Sequence, residues 1–163
     1  MSGSGTYLQG KNLIISANKS NGLYVTNGAK AHIRYLTAVG TQQLNALGGN
    51  NILVSDYATL ELHNFWSYNA FLSGMVIWTA YVTASEGYLY ENEFGANIGP
   101  YPAPPSGTGN YLVRGCLISN VKSYNNRSMD LSDPYGPIPS ATCATNPSAP
   151  ECNTTCLTVP YSL

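Results

Sequence analysis

Asn64, Asn92 and Asn120 recur every 28 residues, and each follows a short strand-like run: Leu60-Glu61-Leu62, Tyr88-Leu89-Tyr90 and Cys116-Leu117-Ile118. The segments Leu-His-Asn-Phe-Trp-Ser-Tyr-Asn (62–69) and Ile-Ser-Asn-Val-Lys-Ser-Tyr-Asn (118–125) match nearly residue for residue. A fixed period of this size marks a unit that cannot bury its apolar face alone and must stack on copies of itself. Helical periodicity is absent, and the Gly, Asn and β-branched content favours strands and turns.

With the asparagines as a ruler, each unit reads as three short strands separated by turns. The first coil takes Leu23-Tyr24-Val25, Ala31-His32-Ile33 and Leu36-Thr37-Ala38; the second takes Ile52-Leu53-Val54, Leu60-Glu61-Leu62 and Phe65-Trp66-Ser67. The third is expected at Tyr81-Val82-Thr83, Tyr88-Leu89-Tyr90 and Phe94-Gly95-Ala96, and the fourth at Tyr111-Leu112-Val113, Cys116-Leu117-Ile118 and Val121-Lys122-Ser123. Side chains alternate between faces with period two. Ala31, Ile33, Leu60, Leu62, Tyr88, Tyr90, Cys116 and Ile118 are therefore expected to point inward, while Trp66, Tyr68, Lys122 and Tyr124 point outward.

Residues 12–125 resemble the right-handed parallel β-helix of the pectin-lyase-like superfamily in coil length, three-strand rhythm and turn asparagine. The resemblance implies an all-β fold of about four coils. It also implies that Asn64, Asn92 and Asn120 form an inward ladder at the turn between second and third strands, with Tyr35 in that place in the first coil. Physics supports such a ladder independently, since identical amides about 4.8 Å apart can satisfy one another. The reading divides the chain into a β-helix over 1–125, with 1–11 a flexible leader, and an irregular Pro/Cys-rich cap or arm over 126–163. Gly99 to Gly109, with four prolines, is expected to protrude as a loop between coils.

Composition narrows the function classes. Charged residues make up only 9% of the chain and the net charge is -1, with no basic run or stripe, so no nucleic-acid partner is expected. No apolar stretch reaches the roughly 18 residues of a membrane span. A surface of Ser, Thr, Asn, Gly and Tyr suits an extracellular, cell-surface or virion-surface protein. The sequons at Asn18, Asn126 and Asn153 are glycosylation candidates that fit such a setting.

Cys143, Cys152 and Cys156 lie in the proline-rich tail and are disulfide candidates. Cys116 takes the repeat position of Leu60 and Tyr88 and reads as a small buried apolar residue. Three tail cysteines are then an odd set: one pairs with Cys116, stays free or links to another chain. No zinc-type spacing exists, and neither a metal nor a cofactor is expected.

Chemistry is thinly represented. Family enzymes work along the first strand, where this chain places Tyr24, Leu53, Val82 and Leu112. The whole chain holds three Asp and five Glu, and sugar cleavage needs a positioned acid and a second carboxylate. Asp130 and Asp133, with Arg127 nearby, are the weak catalytic candidates, and turn capping ahead of Pro134 is the favoured reading of the two carboxylates. His32 and His63 sit in no triad motif. Trp66, Tyr68 and Tyr124 offer flat surfaces on which sugar rings can stack. The expectation is a non-enzymatic extracellular structural protein that forms homo-oligomers and touches glycans; the alternative is a polysaccharide lyase or glycoside hydrolase, or a fragment of one.

Overall fold

The structure, a computed structural model, describes residues 1–98, 115–132 and 154–156. Long and short strands alternate along the chain. The long strands are β1 (Tyr7–Ser16), β3 (Lys30–Val39), β7 (Thr59–Tyr68), β9 (Tyr81–Tyr90) and β11 (Gly115–Tyr124). The short ones are β2 (Asn21–Val25), β6 (Asn50–Ser55), β8 (Ser73–Trp78), β10 (Phe94–Ile98) and β12 (Met129–Ser132). Two further pieces, β4 (Gln43–Leu44) and β5 (Leu47–Gly48), make a small hairpin, and β13 (Thr154–Cys156) closes the described chain.

Long strands pair in parallel in the order β1-β3-β7-β9-β11, with β13 antiparallel at the end; short strands pair in parallel in the order β2-β6-β8-β10-β12. Two sheets whose strands alternate in sequence make a β-helix-like solenoid, and among the described residues no element is helical.

Each long strand carries one residue of positive φ in its middle: Asn12, Tyr35, Asn64, Glu86 and Asn120, at 57, 60, 56, 56 and 53°. The ladders step over these residues, running from Arg34↔His63 directly to Leu36↔Phe65. A left-handed residue turns the strand, so the long sheet folds into two walls and keeps apolar side chains inside on both. Leu60 and Leu62 before the corner and Phe65 and Ser67 after it are all buried. A second such column, Ala17, Gly40, Asn69, Glu91 and Asn125, ends the long strands, and a third, Asn27, Asp56 and Thr79, ends the short ones. Asparagine tolerates this conformation best after glycine, which is why it recurs at corners; Tyr35 and Glu86 adopt it at a cost of about 1 kcal/mol each.

Several sequence expectations need correcting. Successive coils are offset by 29, 22 and 34 residues, as Leu36↔Phe65, Phe65↔Gly87 and Gly87↔Val121 show. Asn64 and Asn120 are thus two coils apart, with Asn92 midway only because a short coil precedes a long insertion. The third coil is β8 and β9, so Val82 and Ala84 point inward where Tyr88 and Tyr90 were expected. Phe94 to Ala96 belong to the short sheet, and Tyr111 to Val113 and the Gly99 to Gly109 loop lie outside the described residues. Residues 7–11 are part of a paired strand, not a leader. Ahead of them the Met1 amine donates to the Tyr24 carbonyl at 2.6 Å. The helix also passes residue 125, because β12 pairs with β10.

The asparagine ladder exists, with other members at another corner. Asn64 and Asn120 face outward, and Asn120 Nδ2 donates to Glu86 Oε1 at 2.8 Å. The ladder amides are Asn51 and Asn92, both buried, and Asn126, half-buried, which accept from the backbone N–H just past the corner that ends each long strand: Thr41, Ala70 and Asn92. Their Nδ2 groups donate back to carbonyls of the long strands, including Ala38, Ser67 and Leu89. A sharp corner leaves these groups without ladder partners, and a buried orphan costs about 1–3 kcal/mol, so the side-chain amides are required by the turn.

The core is a single cluster of aliphatic residues with Phe65 and Met75. Phe65 is fully buried, and a Cβ added to Gly87 on the next coil would sit 2.1 Å from its ring. The large ring and the missing side chain share one layer.

Candidate functional site

Side chains that point away from the core form columns along the stack, because the coils are in register. On the second wall of the long sheet, one column holds Thr37, Trp66, Tyr88 and Lys122, and the next holds Val39, Tyr68, Tyr90 and Tyr124. Trp66 and Tyr88 stack at 6.0 Å, with the Lys122 ammonium 5.5 Å from the Tyr88 centroid. Tyr68, Tyr90 and Tyr124 stack at 4.9 and 5.4 Å, nearly parallel. The expected sugar platform of Trp66, Tyr68 and Tyr124 therefore lies on one wall, joined by Tyr88 and Tyr90. The rings largely cover each other's faces, however, so the tyrosine column presents edges and hydroxyls outward. This geometry rewards coil-to-coil stacking more than sugar stacking.

Burial raises the Tyr90 phenol above its ordinary value of 10.0, and Tyr68, Tyr124 and Glu91 add to the rise. The folded state thus favours the neutral phenol. In the unfolded chain Tyr90 ionises first, so its contribution is intact below about pH 10 and is lost as pH rises beyond it. Urea midpoints are expected to fall above about pH 10, and Tyr90→Phe is expected to flatten part of that fall; identical profiles for the two proteins would contradict it.

The first wall carries a polar grid. His32 Nδ1 lies 2.8 Å from Glu61 Oε2, and His63 Nδ1 lies 2.6 Å from Ser85 Oγ, beside Arg34 and Thr83 in a shallow cleft of about 340 Å³. Sequence spacing could not reveal the pair His63 and Ser85, since a 22-residue coil brings them together. Among the described residues His63 makes no further hydrogen bond, so nothing fixes the imidazole as the third member of a triad does.

Of the catalytic candidates, Arg127 sits past the corner after β11. Its Nε pairs with Glu93 at 3.0 Å and its Nη2 donates to the Ala70 and Phe71 carbonyls. Ser128 Oγ also donates to Glu93. Arg127 is thereby occupied in joining coils. Asp130 lies in β12, and Asp133 lies outside the described residues, as do Cys143, Cys152 and Asn153. Of the other sequons, Asn18 is half-buried between strands, and Asn126 has its amide committed to the ladder, so a glycan on its nitrogen would replace one of the two hydrogens donated to Leu89 and Ser123.

The outer face of the short sheet holds the third feature. Leu53 and Val76 lie side by side in register there, outside the core cluster, yet only 4% and 1% exposed. They form the floor of a cleft of about 530 Å³, rimmed by Leu47 of the β4–β5 hairpin and by Trp78. Asn50 Oδ1, Ser73 Oγ and Trp78 Nε1 are buried there without hydrogen-bond partners; the fourth such atom among the described residues, Thr41 Oγ1, is elsewhere. Among the described residues, no charged side chain lines this cleft. The sequence reading assigned this face an apolar first strand but missed the polar atoms, which belong to the end residues of β6 and β8.

Unpartnered buried polar atoms each cost about 1–3 kcal/mol and point to a ligand or ordered water. Asn50 Oδ1 needs a donor, Trp78 Nε1 needs an acceptor, and Ser73 takes either. A carboxylate cannot serve the first and an ammonium cannot serve the second. A neutral hydroxyl serves both.

Comparison with known proteins finds no family model, no curated protein and no solved structure that matches this chain. Among the described residues there is no cluster suited to a metal ion, and no helix is long and apolar enough to cross a membrane.

Proposed function

We propose that this chain is an extracellular, non-enzymatic structural protein built as a right-handed parallel β-helix of the pectin-lyase-like kind, which assembles with copies of itself and holds a neutral glycan over its short sheet. The observation that carries the glycan reading is the uncharged cleft with an apolar floor and three unpartnered polar atoms. Sugar hydroxyls are both donors and acceptors, and the C–H faces of a pyranose suit Leu53, Val76 and the Trp78 ring. Right-handedness follows from the near-universal hand of parallel crossovers.

Assembly draws support from the open end of the long sheet. β1 has a partner on one side only among the described residues, and its Tyr7 and Ile14 are 61% and 77% exposed. Unpaired edges of this kind invite pairing, and a low net charge offers little repulsion.

Calorimetric titration with neutral and uronic-acid oligosaccharides tests the cleft. Neutral sugars are expected to bind, and Trp78→Phe, which keeps an aromatic ring of smaller size and removes the N–H, is expected to weaken binding about tenfold. Absence of neutral-sugar binding, or preference for acidic sugars unaffected by Trp78→Phe, would sink the reading. The lyase or hydrolase alternative requires turnover that Asp130→Asn or Asp133→Asn abolishes.

A further inference from the structure

We propose that Cys116 and Cys156 are joined by a disulfide that latches the C-terminal strand across the last coil. The backbone register carries this: β13 runs antiparallel to β11, with Cys116 opposite Cys156, Leu117 opposite Thr155 and Ile118 opposite Thr154. Residues directly opposed in an antiparallel pair have α-carbons about 4.5 or 5.5 Å apart. Both separations fall within the roughly 4.4–6.8 Å that a disulfide spans. The chain has four cysteines, so this pairing leaves Cys143 and Cys152 for each other and removes the odd count of the tail.

The position of the bond gives it a role. Every other strand of the long sheet continues the solenoid in parallel, whereas β13 reverses direction on the outer edge of β11. An antiparallel strand there prevents another chain from adding a coil at that edge. Three residues of pairing hold weakly by themselves, so a covalent link is what would keep the edge closed. Formation needs an oxidant of the small-molecule disulfide class, such as oxidised glutathione. One cysteine thiolate attacks that disulfide and expels a thiol; the second attacks the mixed disulfide and expels the other. The protein gains one S–S bond, and the oxidant leaves as two thiols carrying both protons.

The full-length protein, equilibrated in buffers of reduced and oxidised glutathione and then alkylated, can be digested and mapped by mass spectrometry without reduction. The expected map links Cys116 to Cys156 and Cys143 to Cys152. Recovery of Cys116 as a free or glutathione-capped thiol throughout, or Cys156 linked to Cys143 or Cys152, overturns the assignment. Cys116→Ser is expected to free Cys156 for alkylation, lower Tm by roughly 5–10 °C, and enlarge the species seen by light scattering as the β11 edge opens. An unchanged Tm and size overturns the latch. If that variant does not fold, the wild-type map decides alone.

Discussion

Gly87→Ala is expected to destabilise the protein by about 2–3 kcal/mol, although the same change at a glycine with negative φ and open space around it is neutral or favourable. The added Cβ would meet three atoms of the Phe65 ring at 2.1, 2.4 and 2.5 Å. The ring cannot swing away, because Phe65 is fully buried in the core cluster. Strain of this kind forces a ring off its rotamer or pushes two coils apart, and the entropy that alanine removes from the unfolded chain offsets less than half of it. Chemical denaturation should show a lowered midpoint with an unchanged slope. A variant as stable as the parent would mean that Gly87 does not lie under Phe65.

Asn92→Ala is expected to cost more, about 3–5 kcal/mol. The residue is 0% exposed, and its amide makes three bonds: it accepts from the Ala70 N–H at 2.9 Å and donates to the Ser67 carbonyl at 3.2 Å and Asn126 Oδ1 at 3.1 Å. Alanine leaves the Ala70 N–H and the Ser67 carbonyl without the side-chain amide in the interior, while Asn126 Oδ1 keeps the backbone N–H of residue 92. Asn92→Asp keeps the shape yet replaces the donor by an acceptor facing two acceptors, so it should be no milder than alanine. Asn64→Ala, by contrast, removes an outward amide, and its cost should stay near the 1 kcal/mol or less of losing a favoured corner residue. Equal effects at Asn64 and Asn92 would contradict the assignment of the ladder to Asn51, Asn92 and Asn126.

The contrast between these two asparagines shows what the amino-acid pattern reveals and what it hides. Alternation in 62–69 and in the matching segment 118–125 was legible because an outward asparagine corner, an aliphatic or aromatic inner residue and a second asparagine corner repeat there. The six residues from Asn64 to Asn69, and from Asn120 to Asn125, are one wall from corner to corner, and the sequence reading placed Phe65, Ser67, Trp66 and Tyr124 on the faces where they lie. The third coil was hidden because Glu86 and Glu91 replace the corner asparagines and Gly87 replaces the inner aromatic, so that neither corner matches, although Tyr90 keeps the place of Tyr68 and Tyr124. Asn92 then drew the frame forward by its spacing alone.

The short-sheet cleft was hidden for another reason. Its floor residues, Leu53 and Val76, look like any outward aliphatic pair, and what distinguishes them is burial on both faces of β6 and β8. The unpartnered atoms on Asn50, Ser73 and Trp78 depend on where the hairpin and the strand ends meet. No pattern along the chain encodes that meeting. The same holds for His63 and Ser85, whose proximity follows from a coil offset, and for Cys116 and Cys156, which the antiparallel pairing of β13 with β11 sets opposite each other.

A double-mutant cycle on Phe65 and Gly87 tests the stacking register most directly. Phe65→Leu removes the ring atoms that crowd Gly87, so Gly87→Ala should cost about 2–3 kcal/mol in the parent but under about 1 kcal/mol in the leucine background, a coupling above 1 kcal/mol. Strict additivity of the two changes would place these residues in different layers and contradict the offset of 22 residues between the second and third coils.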